Sequence, residues 1–199
     1  MLNVGLTGNV AAGKSLVAGY FRRRGATVID ADLLARAAQA PGSAGLARIV
    51  ERFGPAMLGP GGALDRARLR SVVLADPAAR ADLEAIVHPE VQRQRAALMD
   101  EARRRGDAIV VNDIPLLFEV MDPASFDAIV LVDAPEAVRL ERLVARRGLD
   151  PATAAAMIAA QLPSGPKRAR SDYVIDNDGD LAALERAAAD AWQELLRRA

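Results

Sequence analysis

Five short apolar runs punctuate the chain, and each gives way to polar residues at its carboxyl end. They are Leu2-Asn3-Val4-Gly5-Leu6, Ala26-Thr27-Val28-Ile29, Ala108-Ile109-Val110-Val111, Ala128-Ile129-Val130-Leu131-Val132 and Tyr173-Val174-Ile175. The last four are continuous and rich in β-branched residues instead of alternating, and helical stretches separate the runs. That pattern suits strands buried on both faces of a parallel sheet. Ligands of such sheets bind beyond the carboxyl ends of the strands. Asp30-Ala31-Asp32, Asn112-Asp113, Asp133 and Asp176-Asn177 fall there.

The polar and apolar spacing also predicts helices. Leu16 to Phe21 follows the first strand, and Asp180 to Arg198 repeats Leu181, Leu184, Ala188, Trp192 and Leu195 at helical intervals. Trp192 therefore reads as a residue packed on the sheet. Two stretches exceed a minimal strand–helix–strand rhythm. From Leu33 to Arg105 the pattern is mostly helical, with Asp76-Pro77 as N-cap and first-turn proline and His88-Pro89 as a further helix start. Gly59-Pro60-Gly61-Gly62 reads as a turn inside it. From Arg139 to Asp172 the chain is arginine-rich, and Asp150-Pro151 and Pro163 to Pro166 break it into short helices.

Between the first strand and first helix lies Gly8-Asn9-Val10-Ala11-Ala12-Gly13-Lys14-Ser15, which fits G-x-x-x-x-G-K-[ST] in the context its chemistry requires. Loop amides and the helix N-terminus converge on phosphate oxygens. Gly8, Ala11, Ala12, Gly13, Lys14, Ser15 and Leu16 form the expected cradle for ATP, with Lys14 on the β- and γ-phosphates and Ser15 on Mg²⁺. This makes the chain an α/β protein with a P-loop NTPase fold.

Composition narrows the partners. Acidic and basic side chains balance at 26 each, which disfavours nucleic acid as a partner and favours a small anionic ligand. There is no cysteine, hence no disulfide framework or thiolate metal site. No signal peptide or membrane-length apolar run is visible, so a soluble cytoplasmic protein without a membrane partner is expected. Oligomeric state is not legible. Of 26 basic residues only Lys14 and Lys167 are lysine, against a strong arginine bias. Lys14 is accounted for by the phosphate loop; Lys167 is either a chance survivor or a second place where a compact ammonium is required.

A phosphate loop alone does not choose among GTPase, motor and kinase. No Asn-Lys-x-Asp guanine-reading segment is present. The insertion after the second strand could hold an acceptor, and the arginine-rich one could close over ATP as a lid whose cations neutralise the transferring phosphoryl group. Arg142 and Arg146 suit that role, whereas Arg147, Arg168 and Arg170 read as a solvated face. Asp32 is either a catalytic carboxylate for an acceptor hydroxyl or a helix N-cap, and Asp30 could equally be the cap. Asp113 ends its strand as a Walker-B aspartate or as a turn residue before Pro115. His88, the only histidine, reads on pattern alone as capped or packed. A kinase for a nucleoside monophosphate or small metabolite, and a nucleotide-dependent switch, remain open at this point.

Several segments together resemble the dephospho-CoA kinase family, in order and over nearly the whole chain. They are Gly5-Leu6-Thr7-Gly8 with the phosphate loop, Ile29-Asp30-Ala31-Asp32, Ile86-Val87-His88-Pro89, Asp113-Ile114-Pro115-Leu116-Leu117-Phe118-Glu119, Gln161-Leu162-Pro163 with Lys167, and Asp172-Tyr173-Val174-Ile175-Asp176-Asn177 with Gly179. The resemblance implies a five-stranded parallel sheet flanked by helices, with a nucleotide-binding core over residues 1–32, 106–138 and 173–199. A helical acceptor-binding insertion would span 33–105, and a lid 139–172. It implies transfer of the ATP γ-phosphate to the ribose 3′-hydroxyl of dephospho-CoA. On matching positions Asp32 becomes the base, Lys14 and Arg142 its catalytic partners, and His88, Pro115, Leu116 and Leu117 acceptor contacts. Arg142, Arg146, Asn177 and Gly179 contact ATP, and Ser15 and Asp113 take the metal. The chain differs from the family at Asn9, Ala11 and Ala12 in the loop, at Arg139 where glutamine is common, and at Met157 where arginine is common. If position 11 requires positive φ, its alanine is strained by roughly 1 kcal/mol.

Overall fold

The computed structural model describes all residues, 1–199. The chain divides into two compact units, residues 1–29 with 102–199 and residues 30–101. A five-stranded sheet runs in the order β2-β3-β1-β4-β5, built from β1 (Leu2–Gly8), β2 (Thr27–Asp30), β3 (Ile109–Asp113), β4 (Ala128–Asp133) and β5 (Tyr173–Asp176). β1 pairs in parallel with β3 and β4, with Leu6 opposite Asp113 and Gly8 opposite Val132. β4 pairs in parallel with β5. Every residue of β3 and β4 is buried, which is why those runs are apolar without alternation.

In the larger unit α1 (Lys14–Arg23) and α10 (Leu181–Arg198) share one core with the sheet. Val17 and Phe21 of α1 meet Leu184, Ala188, Trp192 and Leu195 of α10 over Val4, Leu6, Val130 and Ile175. The rings of Phe21 and Trp192 lie 5.6 Å apart, so Trp192 is a packing residue as its spacing predicts. Leu181 departs from that pattern and is exposed in the first turn, where Asp180 caps the helix.

The smaller unit holds α2 (Ala31–Ala38), α3 (Ala44–Phe53) and α4 (Arg66–Ala75), with two 3₁₀ turns between α3 and α4. Asp30, Ser43 and Asp65 cap these helices through the amides of Leu33, Leu46 and Arg68. Gly61 and Gly62 have positive φ, as the turn requires. α5 (Pro77–Arg105) begins at Pro77 as expected but does not restart at His88-Pro89; it is one helix with Pro89 inside. Proline lacks the amide for one helical bond, a loss of about 3 kcal/mol. Burial on both sides of the break offsets it, since Leu83, Ile86, Val87 and Val91 pack into one cluster with Ile49, Met57 and Leu69.

The remaining elements follow β3 and β4. α6 (Leu117–Val120) is a single turn, and α7 (Glu136–Arg147), α8 (Pro151–Ala159) and α9 (Ser164–Arg168) form the arginine-rich stretch. Asp150 caps α8 ahead of Pro151. Leu143, Ala154 and Ile158 make a small core of their own, against which Val10 and Ala11 pack.

Candidate active site

Gly8 closes β1 beside β4 so tightly that a β-carbon there would lie 2.5 Å from the Val132 carbonyl oxygen. The chain then turns through Ala11, at φ 60°, and Gly13, at φ 100°, before α1 begins at Lys14. Gly13 supplies the left-handed conformation without strain; a β-carbon on it would collide with the Asn177 amide. Ala11 is the only non-glycine residue at positive φ, so the expected strain is present. The loop is held closed by the Ala12 amide on the Asn9 carbonyl, 3.0 Å, and by Leu16 on Gly13, 3.0 Å. Its outer carbonyls are also engaged. The Asn177 side chain donates to Ala12, 2.7 Å, and Arg142 donates to Ala11, 3.4 Å.

Lys14 forms an ion pair with Asp113, and Asp113 is nearly buried at the carboxyl end of β3. The sequence reads Asp113 either as a metal ligand or as a turn residue; its Oδ1 faces the Lys14 ammonium. Ser15 lies exposed in the first turn of α1. After β3, Ile114 donates to the Leu6 carbonyl and Thr7 Oγ1 to the Pro115 carbonyl, tying the 113–117 turn to β1. Leu117 is wholly buried, close enough to Gly5 to exclude a side chain there. Leu116 stays 39% exposed, so of this leucine pair it is the one presented to solvent.

Arg142 reaches the loop from α7 and also donates to the Asn177 carbonyl, 3.0 Å, and side-chain oxygen, 3.3 Å. Burial and the neighbouring Arg146 charge lower its pKa, with Glu141 opposing. Arg146 is exposed one turn further along. Arg168 is exposed, in keeping with the solvated face expected of it, and pairs with Asp133, 3.0 Å, and Asp176, 2.6 Å, at the ends of β4 and β5. Asp176 and then Asp133 hold its proton more tightly than usual. Arg170 is exposed as well, and lies 4.9 Å over the Phe118 ring. Arg139 is buried, with Nε donating to the Ala134 carbonyl and NH1 unpartnered.

In the smaller unit, the cap of α2 is Asp30, which accepts from Leu33 at 3.0 Å. Asp32 is thereby released from capping and lies exposed in the first turn. His88 is exposed on α5.

Sequence reasoning missed the side chains that brace the loop from outside. Asn9 donates to Ser164, 3.2 Å, and accepts from Lys167, 2.7 Å; Gln161 accepts from the Val10 amide, 2.7 Å. The scarcity of lysine and the family match at Gln161-Leu162-Pro163 with Lys167 are the signals that point there; Lys167 is 1% exposed and pairs with Glu119 at 2.7 Å.

Residues 2–183 match the family model described as dephospho-CoA kinase. A dephospho-CoA kinase of Streptomyces avermitilis is 46% identical over 199 residues, covering 100% of this chain and 96% of the relative. A crystal structure of a Thermus thermophilus protein superimposes with a TM-score of 0.81 at 39% identity, over 96% of each chain. A shikimate kinase from Bacteroides thetaiotaomicron shares the fold, with a TM-score of 0.51 at 17% identity over 98% of each chain.

Proposed function

The chain belongs to the dephospho-CoA kinase family, and on that premise we propose that Lys14, Asp32 and Arg142 carry the ATP γ-phosphoryl group to the ribose 3′-hydroxyl of dephospho-CoA. The observation that carries the reading is the phosphate loop, whose left-handed turn at Ala11 and Gly13 delivers Lys14 to the head of α1. An ammonium there meets the β- and γ-phosphates and follows negative charge onto the leaving oxygen as the bridging P–O bond breaks. Arg142, at the loop's outer carbonyls, adds a planar cation, with Arg146 beside it. Asn177 and Gly179 are the residues we assign to the adenine of ATP, on their match to the family.

Asp32 accepts the proton of the attacking 3′-hydroxyl and orients its oxygen toward the γ-phosphorus. Its freedom from the capping duty taken by Asp30 supports this, as does its match to the family. His88, Pro115 and Leu116 contact the acceptor, whereas the Leu117 side chain is wholly buried and supports the turn from within. Phosphoryl transfer needs positioning more than a strong base, so a carboxylate suffices.

The donor set fits Mg²⁺. No group of three or more carboxylates, histidines or cysteines could cage a metal alone, which suits an ion that takes most ligands from phosphates and water. Ser15 and Asp113 would hold it, and when bound it neutralises charge on the β- and γ-phosphates. No helix is long and apolar enough to cross a membrane.

Lys14→Ala tests the loop's role. Turnover is expected to fall by about 10²–10³, and near-normal turnover would contradict the assignment.

A further inference from the structure

The side chain of Lys167 is among the largest fully buried ones in the molecule, and its ammonium touches no group of the proposed transfer chemistry. A buried cation persists only where partners replace its water. Lys167 has two: Asn9 Oδ1 at 2.7 Å and Glu119 Oε1 at 2.7 Å. Asn9 is the second residue of the phosphate loop, directly after Gly8. Glu119 lies in α6, two residues beyond Leu117, on the segment that follows Asp113. One ammonium therefore joins the loop that would cradle ATP to the turn that follows β3.

The joint is built to hold one geometry. Asn9 Nδ2 donates to Ser164 Oγ at 3.2 Å, which fixes the amide so that Oδ1 faces Lys167. Ser164 in turn donates to Asp133 at the end of β4, 2.7 Å. The next loop amide, Val10, is held by Gln161 Oε1 at 2.7 Å. Then comes Ala11, whose left-handed backbone is unfavourable for an L-residue and persists only where its surroundings over-determine it.

We propose that Lys167 is a positioning residue for phosphoryl transfer: its buried ammonium fixes the phosphate loop, through Asn9, against the α6 turn, through Glu119. It touches neither nucleotide nor acceptor and acts through the placement of the loop amides. In-line transfer is sensitive to displacements of about 1 Å, so loosening the loop lowers the rate of the bound complex more than it weakens binding. The expected kinetic effect rests on the acceptor assignment above; the fixing of the loop does not.

The test uses Lys167→Met, Glu119→Gln, their double variant and Asn9→Ala in the full chain, with two readouts. The first is backbone amide exchange across residues 10–13 without nucleotide. It is expected to quicken by about tenfold or more in Lys167→Met and Asn9→Ala. The second is kcat and KM with ATP and dephospho-CoA. Here kcat is expected to drop by about tenfold or more while KM for ATP stays within about threefold. The double variant should be no slower than Lys167→Met, because the pair acts as a unit. A purely structural lysine would instead lower the melting temperature and leave both loop exchange and the kcat of the folded enzyme unchanged, which would overturn the proposal. Should Lys167→Met fail to fold, Asn9→Ala cuts only the loop end, and wild-type exchange and kcat in that variant would overturn it equally. Wild-type enzyme inactive on dephospho-CoA would refute the acceptor assignment, while amide exchange still decides for or against Lys167.

Discussion

At the scale of single residues, the loop holds a conformational cost beside its chemistry. Ala11 at φ 60° loses about 1–2 kcal/mol that glycine would not, while glycine's extra freedom when unfolded returns about 0.5–1 kcal/mol of that. Ala11→Gly is therefore expected to stabilise the protein by roughly 1 kcal/mol and raise the melting temperature by about 2–4 °C. A lower melting temperature would mean that packing of the alanine methyl against the Leu143, Ala154 and Ile158 cluster outweighs the strain. Asp32 offers a second test. With Asp30 serving as cap, Asp32→Asn removes a proton acceptor and little else, so kcat should fall by about 10² or more with nucleotide affinity nearly unchanged. A variant that loses ATP affinity while keeping kcat would move Asp32 away from the acceptor.

At the scale of elements, α5 shows how a helix survives an internal proline. Directly after Pro89, Glu90 accepts from Arg93 at 2.6 Å and from Gln94 at 2.9 Å, supporting the turn that follows the missing amide. These bonds, Arg93 first, draw the Glu90 carboxyl down to about 2. A carboxyl whose folded pKa is depressed stabilises the fold above its unfolded value and loses that contribution as pH falls through the folded one. The melting-temperature difference between wild type and Glu90→Gln should thus be full at neutral pH, shrink below about pH 4 and vanish near pH 2. A difference independent of pH would show that the charge is not what matters. This helix also marks where sequence legibility stopped. The five strands and Trp192 were readable because burial writes itself into apolar runs and helical spacing. Pro89 misled because the local rule breaks a helix, while the apolar cluster that overrides the rule draws on residues as distant as Ile49 and Met57. In the site, Gly8 to Ser15 was legible because a phosphate cradle must be contiguous in the chain. Arg168 and Glu119 were not, since their partners Asp133, Asp176 and Lys167 are close only after the sheet has formed.

At the scale of the whole molecule, balanced charge leaves recognition to individually placed cations rather than to a general field. The larger unit holds the sheet and the phosphate loop, and the smaller unit holds Asp32 and His88 on its helices. The fold alone is shared with a shikimate kinase, so the choice of acceptor rests on the site and not on the fold. It is tested most directly by ADP release from Mg·ATP with dephospho-CoA, AMP or shikimate as the only acceptor. Stimulation by dephospho-CoA alone, with the phosphate recovered on the ribose 3′-oxygen, is the expected result. Equal or greater stimulation by AMP or shikimate would contradict it.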